Sequence, residues 1–150
     1  RRVLFRSPIY KLHGSINWFE SQGDGLNPLM VIGENKLNKI SGQEVLRFNN
    51  GLFFKSLSEP NTKLMVIGYG FKDAHINKFI TDAYGLNKFS LHMMHPEGRD
   101  YLRKIIKTAN ANHLSEPIEQ IPMVDYVRPI SEIFAGDEIE LNRLNNFFKS

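Results

Sequence analysis

The sequence contains no cysteine, and this absence excludes two structural classes. Without thiols the chain can form neither a disulfide framework nor a thiolate zinc site. Their absence also fits a reducing compartment, and we expect the protein to be cytoplasmic. No apolar run approaches the roughly 20 residues that a membrane-spanning helix needs, so we expect no membrane partner.

A net excess of positive charge is also missing once the first seven residues are set aside. The segment RRVLFRS, residues 1–7, matches the translated end of a sequencing-library adapter, and we expect it to be a scar. It holds three of the 19 basic residues, and the remaining 16 equal the 16 acidic residues in number. The formal net charge of +3 is therefore no argument for nucleic-acid binding, and we expect none.

Short apolar runs bounded by turn-forming residues predict buried strands. Three runs are clear and two are further candidates: IYKLHG (9–14), KLMVIGYG (63–70), FSLHMM (89–94), LMVIG (29–33) and MVDYV (123–127). Helical patterns lie between and after them, at residues 43–58, 73–85, 97–110 and 137–148. This alternation predicts an α/β fold: a Rossmann-like parallel sheet with helices on both faces.

Two of these predicted helices contain residues that bear on where a helix begins, ends or is weak. Asp73 stands where an N-cap residue would begin the helix DAHINKFITDAYG, and Gly85 stands where a glycine would end it. The helix at 43–58 has a weak point at residues 49–51, where two asparagines precede a glycine. We therefore expect one helix to end at Gly85 and the other to be weakest at its centre.

Two motifs follow predicted strands, where open parallel sheets bind ligands. LHGS follows the first strand, and IGYGFKDAHIN follows the strand at 63–70. The glycines of GYGF permit close backbone approach, and the N-terminus of the next helix favours an anionic or ribose-bearing ligand. Taken alone, GYGF is equally typical of a tight turn, and a lone histidine at a strand end is commonly structural.

The remaining histidines favour structural roles. His92 lies inside a strand pattern, and His75 is expected on the polar side of its helix. His95 precedes a proline that would stop the third strand, although it could line the same crevice. No histidine has metal-ligand spacing with a carboxylate, so we expect no metal site.

Taken in order, YKLHGSINW and LMVIGYGFKDAHINKFI resemble the bacterial sirtuin-like (SIR2-like) domain family, whose members bind NAD. The resemblance covers nearly all of residues 8–150 but only the C-terminal half or so of the family domain. It implies an N-terminally truncated domain, with the glycine-rich phosphate loop and the catalytic asparagine upstream. It also implies that His13 is catalytic and that these residues bind the cofactor: Gly14, Ser15, Gly68, Tyr69, Gly70, Phe71, Asp73 and Asn77.

The resemblance also orders the functional hypotheses. Deacylating sirtuins carry a four-cysteine zinc module, which this chain lacks, so no zinc is expected and the NAD+-hydrolysing branch is favoured. Many members of that branch act in bacterial anti-phage defence by depleting NAD. The expected activity is that of an NAD+ glycohydrolase in the full-length protein, with the fragment alone inactive. Imidazole, whose unperturbed pKa is about 6.5, suits a general base at neutral pH.

Two alternatives stay open. One is a non-catalytic NAD- or ADP-ribose-binding sensor module, in which the pocket would control an attached domain. The other is an NAD-dependent protein deacylase. Besides NAD, the partners that the resemblance allows are a second copy of the chain and domains fused to it or associated with it.

Overall fold

The computed structural model describes residues 9–22, 25–33, 35–108, 118–134 and 138–149. The RRVLFRS segment and the predicted helix ends at Ala109, Asn110 and Asp137 lie outside these ranges. By its internal contacts the chain divides into two compact units, Arg1–Ser56 and Leu57–Ser150. Among the helices of the described ranges, none combines the length and apolar character that a membrane crossing requires.

The first unit is an antiparallel hairpin followed by two helices. Strand β1 (Gly14–Gln22) pairs with β2 (Gly25–Met30), and helices α1 (Lys36–Gly42) and α2 (Glu44–Leu57) follow. Its buried core combines apolar residues from the hairpin region and from the helices: Leu29, Val31, Ile40 and Leu46. The indole of Trp18 packs against this core. The hairpin therefore contributes directly to a core that the helices complete.

The strands predicted in this region differ from those observed. Residues 9–13 form no strand, because the chain turns from Lys11 to Gly14, where the Gly14 N–H donates to the Lys11 carbonyl at 3.3 Å. The predicted strand at 29–33 ends instead at Met30, and Gly33 has a left-handed φ of 81°. Both strands that form are antiparallel, so the prediction of a parallel strand before His13 is wrong.

The second unit is built on a three-stranded parallel sheet. Strands β3 (Lys63–Ile67), β4 (Ser90–Met94) and β5 (Met123–Tyr126) lie side by side in that order. Helix α3 (Ala74–Asn87) joins β3 to β4, and helix α4 (Arg99–Thr108) lies between β4 and β5. The mixed α/β class and the parallel strands predicted at 63–70, 89–94 and 123–127 are confirmed, and the architecture is compatible with a Rossmann-like fold.

Two further helices cover one face of this sheet. Helices α5 (Ile130–Phe134) and α6 (Glu138–Lys149) supply Ile133 and Leu144 to a buried cluster. The sheet residues of that cluster alternate along their strands, as side chains on one face do: Met65, Met94, Val124 and Tyr126. Leu91 and Met93 point to the opposite face and are also fully buried, so both faces of the sheet are covered.

One local prediction about the helices is wrong, and the helix predicted at residues 43–58 is confirmed as α2. Helix α3 continues past Gly85 to Asn87, and Lys88 instead takes the left-handed conformation that ends it, with φ 42°. The Lys88 ammonium lies 4.5 Å from the ring centroid of Tyr84, which compensates for placing a non-glycine residue there. Helix α2 runs without a break through residues 49–51. The side chains of Asn49 and Asn50 there donate hydrogen bonds to the carbonyls of Lys11 and Leu12, in the turn before β1. That these residues are the weak point of the helix stays a prediction.

Candidate functional site

His13 lies at the end of the turn that leads into β1. Its side chain is half-buried, and its carbonyl accepts a hydrogen bond from the Val31 N–H at 2.8 Å. The preceding carbonyl, that of Leu12, accepts from the Asn50 amide at 2.9 Å. The backbone on both sides of the His13 Cα is therefore held by Val31, which directly follows β2, and by Asn50 of α2.

Gly14 is required by the pairing of the hairpin. Its φ is 81°, and a Cβ in its place would lie 2.0 Å from the Leu29 carbonyl oxygen. No side chain can be accommodated at that distance. The glycine of the HG motif thus allows β2 to approach the backbone immediately after His13.

The Ser15 hydroxyl is already engaged within the hairpin. It accepts a hydrogen bond from the Lys11 ammonium at 2.8 Å and donates to the Asn17 side chain. Lys11 also lies 5.4 Å from the ring centroid of Trp18. These contacts tie the turn before His13 to the strand after it.

The loop after β3 contains two residues with left-handed backbone. Gly68 has φ 66°, and open space surrounds the position that a Cβ would occupy. Phe71 has φ 51°, which is unusual for a residue of its size, and its ring is fully buried. Burial of the Phe71 ring holds this backbone in place, while Gly68 leaves its Cα accessible to a ligand.

Tyr69 and Asn77 brace the loop from within. The buried Asn77 amide donates to the Phe71 carbonyl at 2.9 Å, and its oxygen accepts from the Tyr69 hydroxyl at 2.9 Å. The same hydroxyl lies 3.2 Å from the Asp73 carbonyl. Burial, and secondly the charge of Asp73, raises the pKa of Tyr69 well above its ordinary value, so the hydroxyl remains a donor.

Helix α3 begins directly after this loop. Asp73 occupies the N-cap position, as predicted, but its side chain makes no capping hydrogen bond to the first-turn N–H groups. The first turn contains no acidic residue. Backbone N–H donors and the positive end of the helix dipole at this end of α3 favour an anion, while the charge of Asp73 opposes one.

An aromatic pair stands beside the loop at the same edge of the parallel sheet. The ring of His95, which follows β4, stacks on Tyr101 of α4 with 3.9 Å between centroids. The Tyr101 hydroxyl lies 3.5 Å from where a Cβ on Gly70 would be. The structure thus brings His95 next to the glycine loop, while sequence reasoning favoured a structural role for it and missed Tyr101.

His75 and His92 are both buried, which contradicts the prediction for His75 and agrees with the prediction for His92. His75 is buried with its ring edge-on to Phe79, so its placement on the polar side of α3 is wrong. His92 is buried under α6, where it contacts the Tyr126 hydroxyl at 3.1 Å and the Ser90 hydroxyl at 3.3 Å. The structural role predicted for His92 is confirmed.

The two motifs do not follow strands of a common sheet. In the described ranges, His13 precedes a strand of the antiparallel hairpin, and Gly68 follows a strand of the parallel sheet. The expectation that both stand at the carboxyl ends of strands in one parallel sheet is therefore wrong. Each motif has its own local support within its own unit.

Comparison with protein families identifies what this chain is similar to. A family model described as a SIR2-like domain matches residues 6–114, which include both the His13 turn and the loop at 68–71. No curated protein and no solved structure gave a match to the chain. SIR2-like domains are NAD-related, and because the match covers more than half of the sequence, this chain belongs to the SIR2-like domain family.

Proposed function

We propose that the protein cleaves the nicotinamide–ribose bond of NAD+, with His13 as the general base. The observation that carries this proposal is the family match, which includes both His13 and the glycine loop of the second unit. We also propose that the chain is the C-terminal part of the domain, with the phosphate loop and the catalytic asparagine preceding it. The resemblance further supports a bacterial, cytoplasmic protein that depletes NAD in defence against phage.

The geometry of the second unit fits a dinucleotide. Gly68 is open where a side chain would project, and the loop leads directly to the N-terminus of the 14-residue helix α3. Backbone donors at such a terminus suit a pyrophosphate. Because Tyr69 and Asn77 hold the loop rigid, the donors are positioned before the ligand arrives, which reduces the entropy cost of binding.

The reaction needs one proton acceptor. The bond between the ribose C1′ and the pyridinium nitrogen breaks, and its electron pair goes to nicotinamide while positive charge develops on the ribose. Water adds to C1′ and loses a proton, giving ADP-ribose, nicotinamide and H+. A neutral imidazole at His13 would accept that proton, or one from a ribose hydroxyl, and such a group typically contributes about a hundred- to ten-thousand-fold in rate.

The other two hypotheses make different predictions for the same protein. A sensor module would bind NAD without releasing nicotinamide. A deacylase would release nicotinamide only with an acylated peptide present, and the absence of cysteine argues against its four-thiolate zinc module. The test therefore measures NAD binding and nicotinamide release together.

The experiment uses the complete natural chain and follows nicotinamide release from NAD+ over time. We expect wild-type release without a peptide, and a loss of about a hundred- to ten-thousand-fold in His13→Ala. Ser21→Ala, at an exposed position of the same hairpin, should keep full activity and serves as the control. Equal release from wild type and His13→Ala would contradict the role of His13, and binding without release would favour the sensor.

A second variant tests the glycine loop. Gly70→Trp would push a large ring toward Tyr101 and obstruct the ligand's approach to the loop. We expect weaker NAD binding in a direct titration with the fold retained. Unchanged affinity would remove the loop from the binding site without affecting the assignment of His13.

A further inference from the structure

Asn50 is a polar residue buried in the interior of helix α2. Its side chain is only 4% exposed. The amide nitrogen donates to two carbonyl oxygens, that of Leu46 at 2.8 Å in the same helix and that of Leu12 at 2.9 Å. Since both partners are acceptors, only one orientation of the amide satisfies them.

This arrangement leaves the other end of the amide without a partner. The Asn50 side-chain oxygen is buried and makes no hydrogen bond among the described residues. Burying an unpaired carbonyl oxygen costs stability, and an apolar residue of similar size would avoid that cost. Leucine here, however, would leave the buried bond to Leu12 unmade. What asparagine provides at this position, and leucine would not, is the hydrogen bond to the carbonyl of Leu12, the residue before His13.

The turn at residues 11–14 is held at three successive carbonyls. The Lys11 carbonyl accepts from Gly14 and from Asn49 of α2 at 3.4 Å. The Leu12 carbonyl accepts from Asn50, and the His13 carbonyl accepts from Val31. Peptide groups are planar, so fixing the carbonyls of residues 12 and 13 fixes both peptide planes that flank the His13 Cα.

With its two flanking planes fixed, His13 can direct its imidazole only through its side-chain rotamers. We propose that Asn50 is a positioning residue: by holding the Leu12 carbonyl it fixes the direction of the His13 Cα–Cβ bond, and with it the positions that the imidazole can reach for the reaction. This inference rests on the proposed function for its catalytic consequence. Its structural consequence, an ordered His13 backbone, can be measured without any activity.

The first test uses Asn50→Leu, which matches asparagine in size and removes both donated bonds. Asn49→Leu is the matched control, since Asn49 is adjacent, half-buried and bonded more weakly to the same turn. Hydrogen exchange of the Gly14 and Val31 amides should accelerate at least roughly tenfold in Asn50→Leu, with little change in Asn49→Leu. Exchange at His95, in the second unit, should not change.

The second readout is the His13 imidazole, followed by NMR of 15N-labelled histidine and assigned with His13→Gln. In Asn50→Leu we expect the His13 signals to shift or broaden, while the signals of His92 remain unchanged. Asn50→Gln keeps an amide donor and should restore part of the wild-type spectrum. If the His13 signals are identical in wild type and Asn50→Leu, the positioning role is overturned.

Catalysis supplies the third readout, on the complete natural chain. Asn50→Leu should lower kcat for nicotinamide release by roughly ten- to a hundred-fold with KM within about twofold of wild type, because misplacing a catalytic group slows the reacting step. A rise in KM with unchanged kcat would contradict the inference. If Asn50→Leu does not fold, Asn50→Ser is measured with the same three expectations and the same contradicting outcomes.

The two proposals can fail separately. If the wild-type protein releases no nicotinamide, the proposed function fails, and hydrogen exchange and the His13 spectrum still decide whether Asn50 orders the turn. If the wild type is active but Asn50→Leu changes neither kcat nor the spectrum, the proposed function stands and Asn50 is a structural residue of α2.

Discussion

The turn at His13 and the loop at Gly68–Phe71 are held by contacts of different range. The carbonyls of Lys11 and Leu12 are bound by asparagines 38 positions away in the sequence. The loop is held by Tyr69 and Asn77, whose partners are four to eight positions away. The turn therefore depends on contacts across the first unit, while the side-chain hydrogen bonds that hold the loop are local.

This difference also applies to the glycines. Gly14 has no room for a side chain because β2 lies against it, whereas Gly68 is surrounded by open space. Both have a left-handed φ, so the backbone requirement is shared. Packing is what separates a glycine needed for folding from one that leaves room for a ligand.

The largest expected effect on stability is that of Gly14→Ala. A Cβ at 2.0 Å from the Leu29 oxygen forces β1 and β2 apart, in addition to the strain at φ 81°. We expect a loss of about 3 kcal/mol or more in the free energy of unfolding. Urea denaturation followed by the fluorescence of Trp18, the single tryptophan, would measure it in the first unit.

Gly33→Ala is the matched control for that variant. Gly33 has the same φ of 81° with no atom close to where its Cβ would be, so it should lose only about 1 to 2 kcal/mol. Equal losses in the two variants would mean that backbone strain alone, and not the approach of β2, makes Gly14 necessary.

Asn77→Ala should have the next largest effect and tests the loop. It removes the buried bond to the Phe71 carbonyl and the part-buried acceptor of the Tyr69 hydroxyl. We expect a loss of about 2 kcal/mol in the second unit, measured by circular dichroism in urea. Tyr69→Phe removes only the hydroxyl and should cost about 1 kcal/mol; a larger loss in Tyr69→Phe than in Asn77→Ala would contradict this account.

A smaller effect is expected from acidification, through His92. Burial first, then the positive charges of Lys63 and Arg143, lowers the pKa of His92 below its ordinary value of 6.5. The unfolded chain therefore binds the proton more readily, and stability is lost as pH falls from about 6.5 through the folded pKa, by at most ~1.4 kcal/mol per pH unit. Thermal unfolding at several pH values between 7.5 and 5 would measure this loss of stability, because that range begins above the ordinary pKa of histidine and extends below it.

The control for this pH dependence is His92→Gln. Glutamine does not titrate, so the variant should show a flatter dependence of stability on pH over the same interval. A slope equal to that of the wild type would assign the effect to another group. The His13 turn, in the other unit, should retain its hydrogen-exchange pattern in this variant.

Gly68→Ala should have the smallest effect on stability. The added methyl group enters open space, so only the left-handed φ of 66° opposes it, at about 1 kcal/mol. NAD titration of the same variant should show weakened binding if the ligand approaches the backbone there. A loss as large as that of Gly14→Ala would erase the distinction between the two glycines.

Local patterns explain which parts of the fold could be predicted. Strands β3, β4 and β5 and helix α3 each show their period and end signals within a short window, and each lies within a few residues of its predicted position. The sequence does not predict the hairpin, because the Asp24–Gly25 pair is equally typical of an isolated turn. Its strands do not alternate cleanly, and β2 contains Pro28, which argues against a strand.

The candidate site divides in the same way. His13 and the glycine loop were found from motifs, whereas Asn50 and Tyr101 were not. A signal for Asn50 was present, since adjacent asparagines in the middle of a helical pattern are unfavourable unless they have a partner. The sequence indicated a weak point in the helix there, and the hydrogen bonds of both asparagines to the turn at residues 11–14 became visible only in the structure.

By itself the sequence determined the α/β class, the parallel strands and the SIR2-like family. These features depend on short-range sterics and hydrophobic period, which are encoded within a few residues of each other. The tertiary structure alone decided that His13 follows a turn rather than a strand. That outcome depends on hydrogen bonds from Val31, just after β2, and from Asn50 of α2, which lie 18 and 38 positions along the chain, and no local window contains both partners.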